Sequence, residues 1–82
     1  MKKFYTYILV SDSLDEYYSG HSENLKNRVN RHNAGRVPST KHGVPWRLVK
    51  FFEMNSKREA ILLEMKIKRR GAERFLKDTF ES

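Results

Sequence analysis

Two short runs near the start of the chain, Phe4-Tyr5-Thr6-Tyr7-Ile8-Leu9-Val10 and Glu16-Tyr17-Tyr18-Ser19-Gly20-His21, constrain its fold more than any other stretch. Both are rich in aromatic and β-branched residues, which suit a pleated, half-buried surface. Only the polar turn Ser11-Asp12-Ser13-Leu14-Asp15 separates them, so the spacing predicts an antiparallel hairpin. Alternation puts Tyr5, Tyr7 and Leu9 on one face of the first strand and Phe4, Thr6, Ile8 and Val10 on the other. In the second strand Glu16, Tyr18 and Gly20 share a face, and Tyr17, Ser19 and His21 take its opposite. Two tyrosines can therefore meet across the hairpin, either for their packing area alone or as part of a site.

The rest of the chain is placed against that hairpin. Ser22 is a suitable N-cap for a helix from about Glu23 to Asn33, closed by Ala34-Gly35. On its wheel Leu25, Arg28, Val29 and His32 form one arc, so Arg28 and His32 border the inward face. An arginine there either lays its methylenes on the core and sends its head outward, or marks a cleft at the helix edge. Residues 35–45 carry two prolines, two glycines and no periodicity, which predicts a loop. It is either a flexible connector or a binding element offering Arg36, Lys41 and His42 to phosphates. Trp46 to Met54 reads as a third strand with Trp46, Leu48 and Phe52 on one face.

Ser56-Lys57-Arg58-Glu59 is a capping box before an apolar run, so a helix starts there and ends near Arg70-Gly71. Apolar residues cover most of its circumference. It should be covered by the sheet on one side and, on another, by a last helix carrying Ala72, Phe75, Leu76 and Phe80. Glu64 falls between Ala60, Leu63 and Ile67 on this wheel. An ionised carboxylate in such surroundings needs compensation: a partner such as Lys68 or a sheet arginine, or a role as metal ligand or acid/base group facing a cleft. The order of elements predicts an α+β fold, a small three-stranded antiparallel sheet flanked by helices (β-β-α-β-α-α), in one domain over residues 1–82.

Composition narrows the class of partner. Seventeen Lys and Arg against ten Asp and Glu give a net charge of +7, which favours polyanions, nucleic acid first among them. There are no cysteines, so neither disulfides nor thiolate-metal sites staple the chain. No stretch approaches a membrane span and no cleavable leader is visible, so a cytoplasmic protein is expected. The strand edges leave room for a dimer, but a monomer is the simpler expectation.

Taken together, the spacing of these features resembles the GIY-YIG nuclease domain, in its small single-domain, YhbQ-like bacterial branch, from about Phe4 to Leu76. Tyr5-Thr6-Tyr7 matches the first signature with only its last tyrosine retained. Tyr18-Ser19-Gly20 matches the second, with serine where many members carry a branched aliphatic residue. Arg28 matches the family arginine, and His32 stands where members carry His or Tyr. Glu64 matches the acidic residue that binds the metal, and Arg31 to Gly35 and Pro45 to Val49 resemble segments of the short branch.

The resemblance implies hydrolysis of a DNA phosphodiester with one divalent cation, Mg2+ or Mn2+, held by Glu64. Arg28 would offer charge to the phosphate, and Tyr18 and Tyr7 would position and deprotonate water. His32, and with it His21, would assist them. His21, Arg36, Lys41, His42 and Lys68 would contact DNA. Structure-selective cutting in repair or recombination is the expected use. The rival expectation is a nucleic-acid-binding module that keeps the fold without useful turnover.

Overall fold

β1 (Phe4–Ser11) runs between β2 (Glu16–Ser22) and β3 (Trp46–Met54), antiparallel to both. The computed structural model describes residues 2–81, with side chains through Thr79. Six consecutive residues of β1, Thr6 to Ser11, are buried, because helices cover both faces of this middle strand. On one face Tyr7, Leu9 and Trp46 pack with Leu25 and Val29 of α1 (Leu25–Asn33). On the other, Ile8 packs with Ile67 of α2 (Lys57–Arg70) and Leu76 of α3 (Ala72–Glu81). The predicted order of elements is therefore observed, and the two faces of β1 divide as alternation requires.

The hairpin turn closes with Asp15 at φ 55°, a left-handed conformation that aspartate tolerates. Four expectations need correction. β2 continues through Ser22, paired with Tyr5, so α1 begins two residues later than expected and its N-cap is Asn24 rather than Ser22. The Asn24 side chain accepts from the Asn27 N–H, while Ser22 Oγ accepts from the Asn24 N–H at 3.1 Å. The segment expected as an open loop contains a 3-10 helix, Pro38–Gly43, whose Thr40 is fully buried. Proline at its start supplies a preset φ and needs no donor.

The third correction concerns β3. Its pairing with β1 slips between Ile8 and Leu9, where Ile8 faces Lys50 but Leu9 faces Leu48. Val49 is the extra residue. One inserted residue moves every later side chain to the opposite face, so Trp46 and Leu48 join Tyr7 and Leu9 whereas Phe52 joins Ile8. The fourth concerns α2: the sheet and α3 cover it on two sides as expected, but its apolar circumference is wider than that cover, and Leu62 and Met65 remain 52% and 51% exposed. The expected capping box is present, Ser56 Oγ accepting from the Glu59 N–H at 3.1 Å. Ala72, Phe75 and Leu76 pack as expected, while the Phe80 side chain lies outside the described residues. Among the described residues no helix is long and apolar enough to cross a membrane.

A buried hydroxyl ties the sheet to α2: Thr6 Oγ1 donates to the Ala60 carbonyl at 2.8 Å. Thr6→Val keeps the shape and removes the donor, so it should cost about 1 kcal/mol in urea unfolding. A variant as stable as the wild type would show that this contact contributes nothing.

Candidate active site

The edge strand β2 is the line along which the candidate residues gather. Tyr18 and Gly20 project toward α1, and His21 projects toward α2, so side chains from both faces meet around one edge. Gly20 lies opposite Tyr7 in the β1–β2 ladder. A Cβ on Gly20 would stand 2.6 Å from the Tyr7 hydroxyl, closer than real contacts allow, so glycine here makes room for that phenol.

Tyr7 is wholly buried, and its hydroxyl lies 2.9 Å from His32 Nε2. His32 is also wholly buried, and its Nδ1 lies 2.8 Å from Thr40 Oγ1. Burial pushes the Tyr7 phenol well above its ordinary value, reinforced by Tyr18 and Glu64 and opposed by the charge and hydrogen bonding of Arg28. Burial likewise lowers His32, and the Arg28 guanidinium adds to the effect. The pair is thus held as neutral phenol and neutral imidazole. Tyr18 is half-buried, its ring 5.0 Å from that of His32 and 6.4 Å from that of Tyr7. Its hydroxyl makes no hydrogen bond to a described side chain or backbone group and is not fully enclosed.

On the far side of the β2 edge, Glu64 is 14% exposed and fully compensated. His21 Nδ1 donates to Oε1 at 2.5 Å and Lys68 Nζ to Oε2 at 2.7 Å. Burial alone would raise this carboxyl, but the hydrogen bonds and charges of Lys68 and His21 outweigh it and hold it below the usual carboxylate range. The Lys68 ammonium also stands 6.0 Å over the Tyr18 ring, joining the two halves of the cluster. Arg28 and His21 line one cleft of about 130 Å³ with Phe4, Ser22, Glu23 and Lys57.

Tyr7, Tyr18, His21, Arg28, His32, Glu64 and Lys68 therefore come together. Arg36 and Lys41 do not join them: both are exposed on the segment after α1. His42 is exposed and donates to Glu16 at 3.4 Å. Among the described residues no group of three or more His, Asp or Glu side chains is placed to hold a metal. A divalent cation would rest on the Glu64 carboxylate alone, with water and substrate oxygens completing its shell. That donor set fits magnesium, which keeps several waters and takes one or two carboxylates, provided the exposed Lys68 head yields its oxygen.

Sequence reasoning passed over two residues that build this site. Thr40 holds His32 from beneath, and Asn33 joins α1 to β3 by accepting from the Trp46 N–H at 2.5 Å and donating to the Trp46 carbonyl at 3.0 Å. The signal for Thr40 was a histidine on an apolar arc, which needs a polar partner when buried. Asn33 gave no signal beyond its place at a helix end.

A family model described as the GIY-YIG catalytic domain matches residues 3–80. The solution NMR structure of the UPF0213 protein BH0048 from Bacillus halodurans is similar at 29% identity, covering 92% of this chain and 83% of that one, with a TM-score of 0.56. No match was found among curated proteins.

Two outcomes are expected from this geometry. Gly20→Ala should destabilise the protein by roughly 1–3 kcal/mol through overpacking against Tyr7, read by thermal or urea unfolding. Unchanged stability would mean that the phenol has room to move. The lowered His32 value contributes stability that is fully present above 6.5 and lost as pH falls from there through the lowered value. Glu64 acts with the same sign below its ordinary 4.5. Urea midpoints should therefore begin to fall below about pH 6.5, and His32→Gln should flatten that first decline. A wild-type midpoint constant down to about pH 5 would contradict the neutral, buried imidazole.

Proposed function

Because the chain belongs to the GIY-YIG family of catalytic domains, a family of nucleases, we propose that it is a metal-dependent DNA endonuclease. The observation that carries this reading is the convergence of Glu64, Arg28 and Tyr18 on one edge of β2, from three different elements. Glu64 would hold Mg2+ or Mn2+, which when bound polarises the scissile phosphate and stabilises the departing oxygen. Arg28, always charged, would meet the equatorial phosphate oxygens where charge accumulates in the transition state. Tyr18 is assigned to orient and deprotonate the attacking water, since it is the site phenol that is neither bonded nor wholly buried. Tyr7, enclosed and bonded to His32, is assigned to hold that side of the site in place. His21 and Lys68 would keep Glu64 ionised and oriented, and Lys68 would turn onto a phosphate.

With a net charge of +7, affinity for DNA would come mainly from phosphate contacts, which position a protein without reading base sequence. Arg36, Lys41 and His42 are proposed to extend those contacts along the backbone. Selectivity would then follow DNA structure, as at branched or flapped intermediates of repair and recombination. The protein is proposed to act as a monomer in the cytoplasm.

A second reading has one observation in its favour. His21 and Lys68 already satisfy both Glu64 oxygens, as they would in a binding module that never takes up a cation.

Cleavage of labelled duplex, flapped and branched DNA with magnesium, manganese or chelator separates the two. The wild type should cut only with metal. Glu64→Ala should lose at least about a hundredfold in rate with DNA affinity little changed, and Tyr18→Phe about 10²–10⁴-fold. Undiminished cutting by Glu64→Ala would overturn the proposal. Binding of every substrate without any cutting would put the binding module in its place.

A further inference from the structure

We propose that Thr40 is a positioning residue, which fixes the ring nitrogen of His32 that carries the proton and thereby the direction in which the buried Tyr7 hydroxyl points its own. Thr40 is wholly buried in the 3-10 helix and touches no surface a substrate could reach, so it acts only through other side chains.

The donors and acceptors align in one direction. The Thr40 hydroxyl lies 3.3 Å from the Val37 carbonyl, which can only accept, and 2.8 Å from His32 Nδ1. The Thr40 N–H also donates to that carbonyl at 3.0 Å, and a carbonyl oxygen has two lone pairs. With its proton on Val37, Thr40 Oγ1 accepts from His32 Nδ1–H. A neutral imidazole has a single N–H, so Nε2 is left bare and accepts from the Tyr7 hydroxyl at 2.9 Å. The Tyr7 proton is then committed to His32, and the lone pairs of its oxygen remain. Among the described residues His32 Nε2 is the one acceptor within hydrogen-bond reach of that hydroxyl.

The opposite tautomer breaks this order at its far end. An Nε2–H would donate to Tyr7, whose own buried proton would then have no acceptor among the described residues. Water cannot relieve that conflict, because Tyr7, His32 and Thr40 are all wholly buried. The 3-10 helix, far from being a passive connector, thus sets the direction of the Tyr7 hydroxyl two links away. The proton placement stands on these contacts alone; its consequence for cleavage rests on the nuclease reading.

The test uses ¹⁵N-labelled full-length protein. Long-range ¹H–¹⁵N correlation spectra of His32 should show Nδ1–H with a bare Nε2 in the wild type. Thr40→Val removes the acceptor and should convert His32 to the Nε2–H form, with kcat lower by roughly ten- to a hundredfold and KM within about twofold. Thr40→Ser should restore both the tautomer and the rate, which a loss of packing alone would not. A wild-type Nε2–H tautomer, or a tautomer unmoved in Thr40→Val, overturns the placement. A converted tautomer with undiminished kcat overturns the catalytic consequence. If the wild type shows Nδ1–H but cuts no DNA, the nuclease reading and that consequence fall together while the placement stands.

Discussion

A phenol and an imidazole share a site from which water is excluded, and much of the chain is arranged to make that tolerable. Buried polar groups are costly unless each finds a partner. Tyr7 and His32 satisfy one another, Thr40 satisfies the second ring nitrogen, and Val37 takes the threonine proton. Each partner in turn requires local structure. Gly20 must lack a side chain for the phenol to fit, and the 3-10 helix must form for Thr40 to lie beneath the ring. Trp46 roofs this segment, donating from its indole to the Thr40 carbonyl at 2.7 Å, and Asn33 fixes the Trp46 backbone. None of the buried side-chain polar atoms among the described residues is left unpaired.

The same arrangement explains why the sheet has only three strands yet serves two faces. β1 is covered on both sides, so its residues are apolar or internally bonded almost throughout. β2 is an edge strand, and an edge is where side chains from opposite faces come within reach of each other. Tyr18 from one face and Glu64 from the helix on the other are joined there by Lys68. A chain with limited core gains a two-sided site in this way without a deep cavity. The bulge in β3 works to the same end, since it lets Trp46 serve the tyrosine face while Phe52 serves the helix face.

What could be read from the residues follows from which forces act locally. The strands, the capping box at Ser56 and the inward arc of α1 are period and cap signals, and all three are in place. Ser22 and Asn24 are both good caps for α1, and only the ladder with Tyr5 decides that Ser22 belongs to the strand and Asn24 caps the helix. The Val49 bulge has no signature of its own: Trp46 to Met54 reads as an uninterrupted strand, and the slip arises from packing both ends of β3 on opposite faces. The structured segment around Thr40 was hidden for a related reason. Its prolines and glycines carry no periodicity, and its order comes from partners distant in the chain. Glu64 could be seen as a buried acid needing compensation, yet its sequence offered Lys68 or a sheet arginine; His21, from the neighbouring strand, became visible only with the fold.

On the proposed nuclease reading, Glu64 would be a metal-holding carboxylate kept ionised before any cation arrives. Left alone, its burial would favour the neutral acid, which is a poor ligand for a hard cation. Lys68 and His21 keep it ionised, but with unequal hold on the site. Lys68 is 55% exposed at the end of a flexible stem, whereas the His21 side chain is 33% exposed and held by its strand. On that reading a cation approaching from solvent would meet one oxygen paired with the more exposed ammonium and another held by the imidazole. Displacing Lys68 would leave the carboxylate still oriented by His21, and it would free a positive charge beside Tyr18, where the proposed reading puts the phosphate. The same three side chains would then serve both compensation in the resting protein and the proposed chemistry.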